Sequence, residues 1–273
     1  MTRAAAASVS RAGVSSSSGS TSKGSKSSSR SAGGSDPVLT YFRRAELPIS
    51  GLAFLLPLIV IYELGTRLIV APTNGGPTQR IIAFTLMQQF FNFFGASGRY
   101  LPALAVVGIL FAWHLARGDR WQINVATLFG MVIESIALAV PLLAMGVIAA
   151  RYVPMFALAP GTSSLLILSI GAGIYEELIF RLIALTALNF LFIDLLGMPR
   201  FRSYLLMVGV SSILFAAYHY LGQEAFHWRT FAFRTAAGAY FGAIFVLRGF
   251  GITAGCHAAY DVILVLVRAL PAH

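Results

Sequence analysis

The feature that most constrains this fold is a series of long apolar runs that contain almost no charge. A helix needs about 20 such residues to cross the hydrocarbon core of a bilayer. The runs do not alternate polar and apolar residues as membrane β-strands do. Only 11% of the residues are charged, against roughly 25% in soluble domains. The sequence therefore predicts an all-α, polytopic transmembrane helix bundle and excludes an ordinary soluble protein.

The apolar runs predict seven to eight membrane helices. We expect spans near 49–71, 100–116, 123–149, 163–195, 202–221, 231–248 and 252–269. Segment 81–94 is short, and a helix there places Thr85, Gln88, Gln89 and Asn92 on one face. Such a helix is typical of the membrane interface rather than of a span. The count is seven if this segment lies flat and eight if it crosses.

Basic residues predict a cytoplasmic N-terminus. The first 48 residues carry seven Lys or Arg and two acids, and cytoplasmic segments of membrane proteins are enriched in such charge. The inside total is twelve against seven outside whether 81–94 crosses or not. Loop charge therefore leaves seven and eight crossings open. The expected location is the bacterial cytoplasmic membrane.

Residues 1–40 form a polar, basic tail rich in Ser and Gly. This composition is typical of disorder. It also resembles an organelle transit peptide, and that alternative stays open. Basic patches can bind nucleic acid, but the first aromatic residue is Tyr41. We therefore expect no nucleic-acid partner.

Six ionisable residues lie in the apolar runs of the C-terminal half of the chain. They fall in three segments, as Glu176, Glu177 and Arg181, then His219, then His257 and Asp261. A charged side chain at membrane depth costs roughly 2.5–3.5 kcal/mol on insertion scales, and such residues are usually functional. Their clustering predicts one polar cavity shared by three helices.

Helical spacing separates the roles of these residues. Glu177 and Arg181 are four residues apart and can pair on one helix face. Glu176 lies on a different face, which leaves it free to point into the cavity. His257 and Asp261 are also four apart, so the carboxylate can orient the imidazole or keep it protonated.

Three motifs occur in order on these segments: EExxxR at Glu176–Arg181, FxxxH at Phe215–His219, and HxxxD at His257–Asp261. The set resembles the CPBP, or Abi, family of intramembrane endopeptidases, which includes type II CAAX prenyl endopeptidases and bacteriocin-processing and immunity proteins. The resemblance covers about residues 163–268. It implies a protease core at 161–270, and composition and hydropathy predict a tail at 1–40 and N-terminal transmembrane helices with an interfacial segment at 41–160.

The resemblance implies a role for each residue. Glu176 is the expected general base that activates water, and His219 helps to hold that water. His257 and Asp261 are expected to stabilise the oxyanion, with Glu177 and Arg181 as structural support. The family most often has Asn at the last position. An ionised Asp261 cannot donate a hydrogen bond, so it must be protonated or act through His257.

A zinc site is the alternative to this mechanism. Glu176, His219 and His257 could ligate zinc and leave the fourth position to water. The HExxH pattern of zinc proteases is absent, and the single Cys256 excludes a Cys-rich zinc site. The resemblance favours a glutamate mechanism without a cofactor.

The sequence therefore favours an intramembrane endopeptidase. Its expected partners are the lipid bilayer and a membrane-associated protein or peptide substrate. A non-catalytic scaffold or immunity protein of the same fold, and a proton-coupled transporter, stay open. Outside the cluster, Glu63 and Arg67 are expected to pair, and Glu134 faces either the cavity or a neighbouring helix.

One geometric problem arises for straight, perpendicular helices. His219 falls near the end of its span, and His257 falls near the start of a span two crossings later. Convergence then requires either a tilted or prolonged helix through His219, or a broken segment around 222–234.

Overall fold

The computed structural model describes residues 37–70, 80–150, 161–222 and 224–270. Within these ranges the regular structure is helical throughout and no strand occurs. The predicted disordered tail lies outside them up to residue 36. The helices are α1 (Pro37–Ala45), α2 (Pro48–Leu68), α3 (Ile82–Phe93), α4 (Leu101–Arg117), α5 (Val125–Ala150), α6 (Thr162–Glu177), α7 (Ala184–Asn189), α8 (Arg200–Tyr218), α9 (Trp228–Arg248) and α10 (Phe250–Ala269).

The structure confirms the predicted class, an all-α bundle of membrane helices. Six helical stretches of the described chain are long and apolar enough to cross a bilayer: 48–68, 125–148, 162–195, 200–221, 228–248 and 250–269. The apolar helix α4 is shorter, at 17 residues. Together they correspond to the seven predicted spans, so the chain is an integral membrane protein.

Helix α3 lies in the segment predicted to be interfacial, and it has one buried face and one exposed face. Ala83, Phe84 and Met87 are buried, whereas Thr85, Gln89 and Asn92 are exposed. One face therefore packs on the bundle, and the polar residues lie on the other.

The starts of α2, α5 and α10 meet at one end of the bundle. A Cβ on Gly251 would come within 2.9 Å of the Gly51 Cα, so α2 and α10 touch through backbone. At the same end Arg248, the last residue of α9, forms an ion pair with Glu134 of α5. We call this the first end.

The end of α2 lies beside the start of α6, at the second end of the bundle. A Cβ on Gly65 would overlap the side chain of Ile167, and the Ser164 hydroxyl donates to the Ile69 carbonyl at 3.5 Å. Because α2 finishes here and α5 starts at the first end, α3 and α4 together make one return across the bundle. With α4 as the crossing helix and α3 lying along the bundle, this arrangement predicts seven crossings.

Helices α6 and α10 pack at backbone distance where the polar residues lie. A Cβ on Gly173 would come within 2.5 Å of the Ala258 nitrogen and 2.7 Å of the Ala254 carbonyl oxygen. Only glycine at 173 allows this approach, which brings the Glu176–Glu177 pair beside His257.

Directly after Glu177 the helix widens. Residues Leu178–Ile183 form a π-helical turn, and Phe190–Leu195 form a second one. Such turns are rare and occur often at functional sites. The first contains Arg181, so the site is built around a local departure from α-helical geometry.

The structure shows the partners of Glu63 and Glu134, the two acids outside the cluster. The predicted Glu63–Arg67 pair is wrong, because Glu63 instead binds Arg80 at 3.1 Å and accepts from the Tyr175 hydroxyl at 3.2 Å. The Arg80 guanidinium also lies 4.3 Å from the ring of buried Phe84. Arg67, the partner expected for Glu63, is exposed.

Glu134 contacts neighbouring helices. It pairs with Arg248 and accepts a hydrogen bond from Tyr41. Burial, together with the Glu134 carboxylate, raises the pKa of Tyr41 above its ordinary value, so the phenol keeps its proton and donates. Glu134 therefore ties α1, α5 and α9 together at the first end.

Candidate active site

Glu176, His219 and His257 converge from α6, the end of α8 and α10. The Oε2 atom of Glu176 lies 3.9 Å from Nε2 of His219 and 3.9 Å from Nε2 of His257. One carboxylate oxygen thus faces two imidazoles that are 38 residues apart in the sequence.

His219 reaches this point because its helix is prolonged. Residues His219–Leu221 add a 3-10 turn to α8, and α9 is regular from Trp228 onward. The prolonged helix, the first of the two expected routes to convergence, is therefore observed. The broken segment expected around 222–234 is found only in part, because its described residues before Trp228 are non-helical and those from Trp228 onward are helical.

The other oxygen of Glu176 is held by a residue that the sequence analysis missed. The Tyr218 hydroxyl donates to Oε1 at 2.8 Å. The same hydroxyl oxygen accepts from the Ala83 amide at 3.3 Å. Tyr218 directly precedes the predicted His219, and a hydroxyl next to a membrane histidine was the available signal.

The backbone of α8 sets the tautomer of His219. Its Nδ1 lies 2.7 Å from the Phe215 carbonyl oxygen. A carbonyl only accepts, so Nδ1 carries the proton. In the neutral imidazole Nε2 is then an acceptor, and it is this atom that faces Glu176.

His257 is held from three sides. Its Nδ1 donates to Oε1 of Glu177 at 2.7 Å, and its ring stacks on Phe241 at 4.5 Å between centroids. Its Nε2 lies 3.4 Å from Oδ2 of Asp261. Phe241 had no recognisable signal in the sequence, because aromatic residues are common throughout these helices.

Glu177 connects two of the expected residues. Arg181 Nε lies 3.0 Å from Glu177 Oε2, as their spacing predicts, and both side chains are fully buried. Arg181 also donates to the Gly238 carbonyl at 3.1 Å and lies 4.4 Å from the Phe215 ring. Glu177 therefore joins this cation to His257, a link that sequence spacing within one helix cannot reveal.

The site is closed on one side and open on the other. The side chains of Glu176 and His257 are 8% and 6% exposed. Those of His219 and Asp261 are 22% and 26% exposed. His219 and Asp261 are therefore the most exposed side chains of the four.

A zinc site would need the three side chains to lie slightly closer together than they do here. Among the described residues no group of three His, Cys, Asp or Glu side chains is placed to hold a metal ion. Ligands at about 2.0–2.1 Å from a tetrahedral zinc lie roughly 3.3 Å apart, which is less than the 3.9 Å from Glu176 to each histidine.

Comparison with known proteins finds one family to which the C-terminal part of the chain is similar. Residues 159–263 match the family model described as type II CAAX prenyl endopeptidase Rce1-like. No curated protein and no solved structure gives a significant match. The family match confirms the relationship that the three motifs predict for the C-terminal part of the chain.

Proposed function

We propose that this chain, whose residues 159–263 belong to the Rce1-like type II CAAX prenyl endopeptidase family, is an intramembrane endopeptidase. It hydrolyses a peptide bond in a membrane-associated protein or peptide. One observation carries the proposal: a single oxygen of a buried carboxylate lies 3.9 Å from two imidazoles contributed by separate helices.

The separations around Glu176 match a bridging water. At 3.9 Å the carboxylate and the imidazoles are too far apart for direct hydrogen bonds. One water oxygen can bond to groups at this spacing. In this mechanism Oε2 of Glu176 accepts a proton from that water while Nε2 of His219 orients it.

The water oxygen then attacks the carbonyl carbon of the substrate. The proton moves to Glu176, and negative charge develops on the former carbonyl oxygen. His257 in its protonated form donates from Nε2 to this oxyanion, because Nδ1 already donates to Glu177. When the C–N bond breaks, Glu176 returns its proton to the leaving amine.

Asp261 acts through His257 in this mechanism. Oδ2 of Asp261 lies 3.4 Å from the imidazole Nε2. As a carboxylate it stabilises the imidazolium and repels a substrate anion, so it does not itself donate to the oxyanion. This assignment accounts for an acid at the position where the family most often has Asn.

The family supplies a first substrate class. A CAAX sequence is a C-terminal Cys followed by two aliphatic residues and one variable residue, with a prenyl group on the Cys. The probe is a fluorescence-quenched farnesylated CAAX peptide added to proteoliposomes that contain the purified full chain.

The test is Glu176→Gln, with Glu134→Gln as the matched control. Glu134 is also a membrane carboxylate, but it binds Arg248 at the first end of the bundle. Loss of a general base lowers the rate by about 10²–10⁴-fold. We expect that loss for Glu176→Gln and for His219→Ala, and activity within about threefold of wild type for Glu134→Gln. Unchanged cleavage by Glu176→Gln refutes the proposal.

We further propose that the reaction needs no metal. The same assay is run after dialysis against a strong chelator, and activity is expected to stay within about twofold. If the chelator abolishes cleavage and added Zn²⁺ restores it, the result supports the zinc mechanism instead.

A further inference from the structure

The Tyr218 hydroxyl joins two parts of the molecule that are far apart in the sequence. It donates to Oε1 of Glu176 at 2.8 Å and accepts from the backbone amide of Ala83 at 3.3 Å. Ala83 is the second residue of α3, and the first four amides of a helix have no acceptor within it. Tyr218 therefore satisfies an amide of α3 and a carboxylate oxygen of α6 with one hydroxyl.

Packing fixes the Tyr218 ring in this position. The ring lies 5.0 Å from Phe180 and 4.7 Å from His219 between centroids, and the residue is buried. These contacts restrict the rotation that would move the hydroxyl away from Glu176.

The start of α3 is itself anchored to α2. Arg80, two residues before α3, binds Glu63 at 3.1 Å and lies 4.3 Å from the Phe84 ring. This anchor presents the Ala83 amide to Tyr218. A continuous chain of contacts thus runs from Glu63 through Arg80, the first turn of α3 and Tyr218 to Glu176.

We propose, on the basis of the endopeptidase function above, that Tyr218 is a positioning residue that orients the Glu176 carboxylate and is held in place by the seated first turn of α3. The terminal torsion of a glutamate is broad and has no strong preference of its own. With Oε1 bound to Tyr218, Oε2 is the oxygen presented to His219 and His257. The interfacial helix α3 is therefore coupled to the catalytic carboxylate.

The first test is Tyr218→Phe, with Tyr240→Phe as the matched control. Tyr240 also donates a hydrogen bond between helices, to the Leu138 carbonyl at 2.8 Å. In proteoliposomes with the farnesylated CAAX peptide, Tyr218→Phe is expected to lower kcat by about tenfold or more. KM is expected to stay within about twofold, because Tyr218 positions a carboxylate rather than binding substrate. Unchanged kcat, or a change in KM alone, overturns the proposal.

Amide exchange tests the link to α3 without any substrate. In Tyr218→Phe the Ala83 amide loses its acceptor, so its hydrogen exchange is expected to accelerate about tenfold while the amides of α10 keep their wild-type protection. Tyr240→Phe is expected to leave Ala83 unchanged. Equal Ala83 protection in Tyr218→Phe and wild type overturns the coupling.

A double-mutant cycle with Arg80→Met tests whether the coupling between α3 and the site runs through Tyr218. Arg80→Met loosens the start of α3 and is expected to lower kcat in the wild-type background. In the Tyr218→Phe background it is expected to have little further effect, because the hydroxyl that α3 holds is gone. Additive losses contradict a path through Tyr218.

The control for the underlying function is Glu176→Gln. If it abolishes cleavage while Tyr218→Phe retains full kcat, the positioning role fails and the endopeptidase proposal stands. If Glu176→Gln retains cleavage, the endopeptidase mechanism itself fails.

Discussion

At the scale of single residues, the Glu177 carboxylate contacts two other charged or ionisable side chains of the site. It binds Arg181 at 3.0 Å and His257 at 2.7 Å, and it is fully buried. A carboxylate between a guanidinium and an imidazole can act in two ways. It can neutralise Arg181, or it can also hold the His257 ring and favour its protonated form.

Two variants separate these roles. Glu177→Gln leaves the Arg181 charge buried without its partner, a change that costs about 3–5 kcal/mol. The double variant Glu177→Gln with Arg181→Met removes both charges, and replacing a buried ion pair by uncharged residues is often nearly neutral. We expect the double variant to recover most of the thermal stability measured in detergent but to stay at least about tenfold less active in peptide cleavage. Full activity of the double variant would mean that Glu177 serves Arg181 alone.

Sequence reasoning at this scale identified residues whose chemistry is unusual in a membrane. Glu176, His219 and His257 stood out because charge and imidazole are costly at that depth. Tyr218 and Phe241 did not, because tyrosine and phenylalanine are ordinary in apolar helices. Their importance depends on contacts across helices, which a single sequence does not contain.

At the scale of helices, the crossing of α6 and α10 depends on Gly173. A Cβ there would meet backbone atoms of Ala254 and Ala258. Backbone atoms cannot rotate away as a flexible side chain can, so an alanine must push the two helices apart. Glu176 and Glu177 would move away from His257 by the same displacement.

Gly173→Ala is therefore expected to lower both the rate of cleavage and the stability. Overpacking costs about 1–3 kcal/mol, and a misplacement of about 1 Å in an active site costs up to about 100-fold in rate. The matched control is Gly209→Ala in α8, where a Cβ would meet no other atom within 4 Å. Peptide cleavage and thermal stability are measured for both variants. Wild-type cleavage by Gly173→Ala would show that the helices can separate without disturbing the site.

The helices themselves were well predicted, since hydropathy fixes where apolar runs begin and end. Helix α2 was expected near 49–71 and is found at Pro48–Leu68. The π-helical turn at Leu178–Ile183 was not foreseen. It contains the buried Arg181, and no periodicity in the sequence marks it.

At the scale of the whole molecule, contacts decide a question that charge counting left open. Lys and Arg divide twelve to seven for both seven and eight crossings. The start of α5 lies at the first end, where Gly130 contacts the Tyr41 ring of α1. Because α2 leaves that end and α5 begins there, an even number of crossings lies between residues 48 and 125. This parity predicts seven crossings in total.

This topology predicts which loops share a side of the membrane. Gln122, before α5, should lie on the same side as α1, and Ala225, between α8 and α9, on the opposite side; both are exposed. The positive-inside bias predicts that the α1 side lies in the cytoplasm. The only cysteine is buried Cys256, so Cys256→Ala gives a cysteine-free background. In intact cells an impermeant maleimide is expected to label Ala225→Cys and not Gln122→Cys. An N-terminal epitope is expected to be accessible only after lysis. Labelling of Gln122→Cys with protection of Ala225→Cys, while that epitope stays inaccessible, would instead require α3 to cross the membrane.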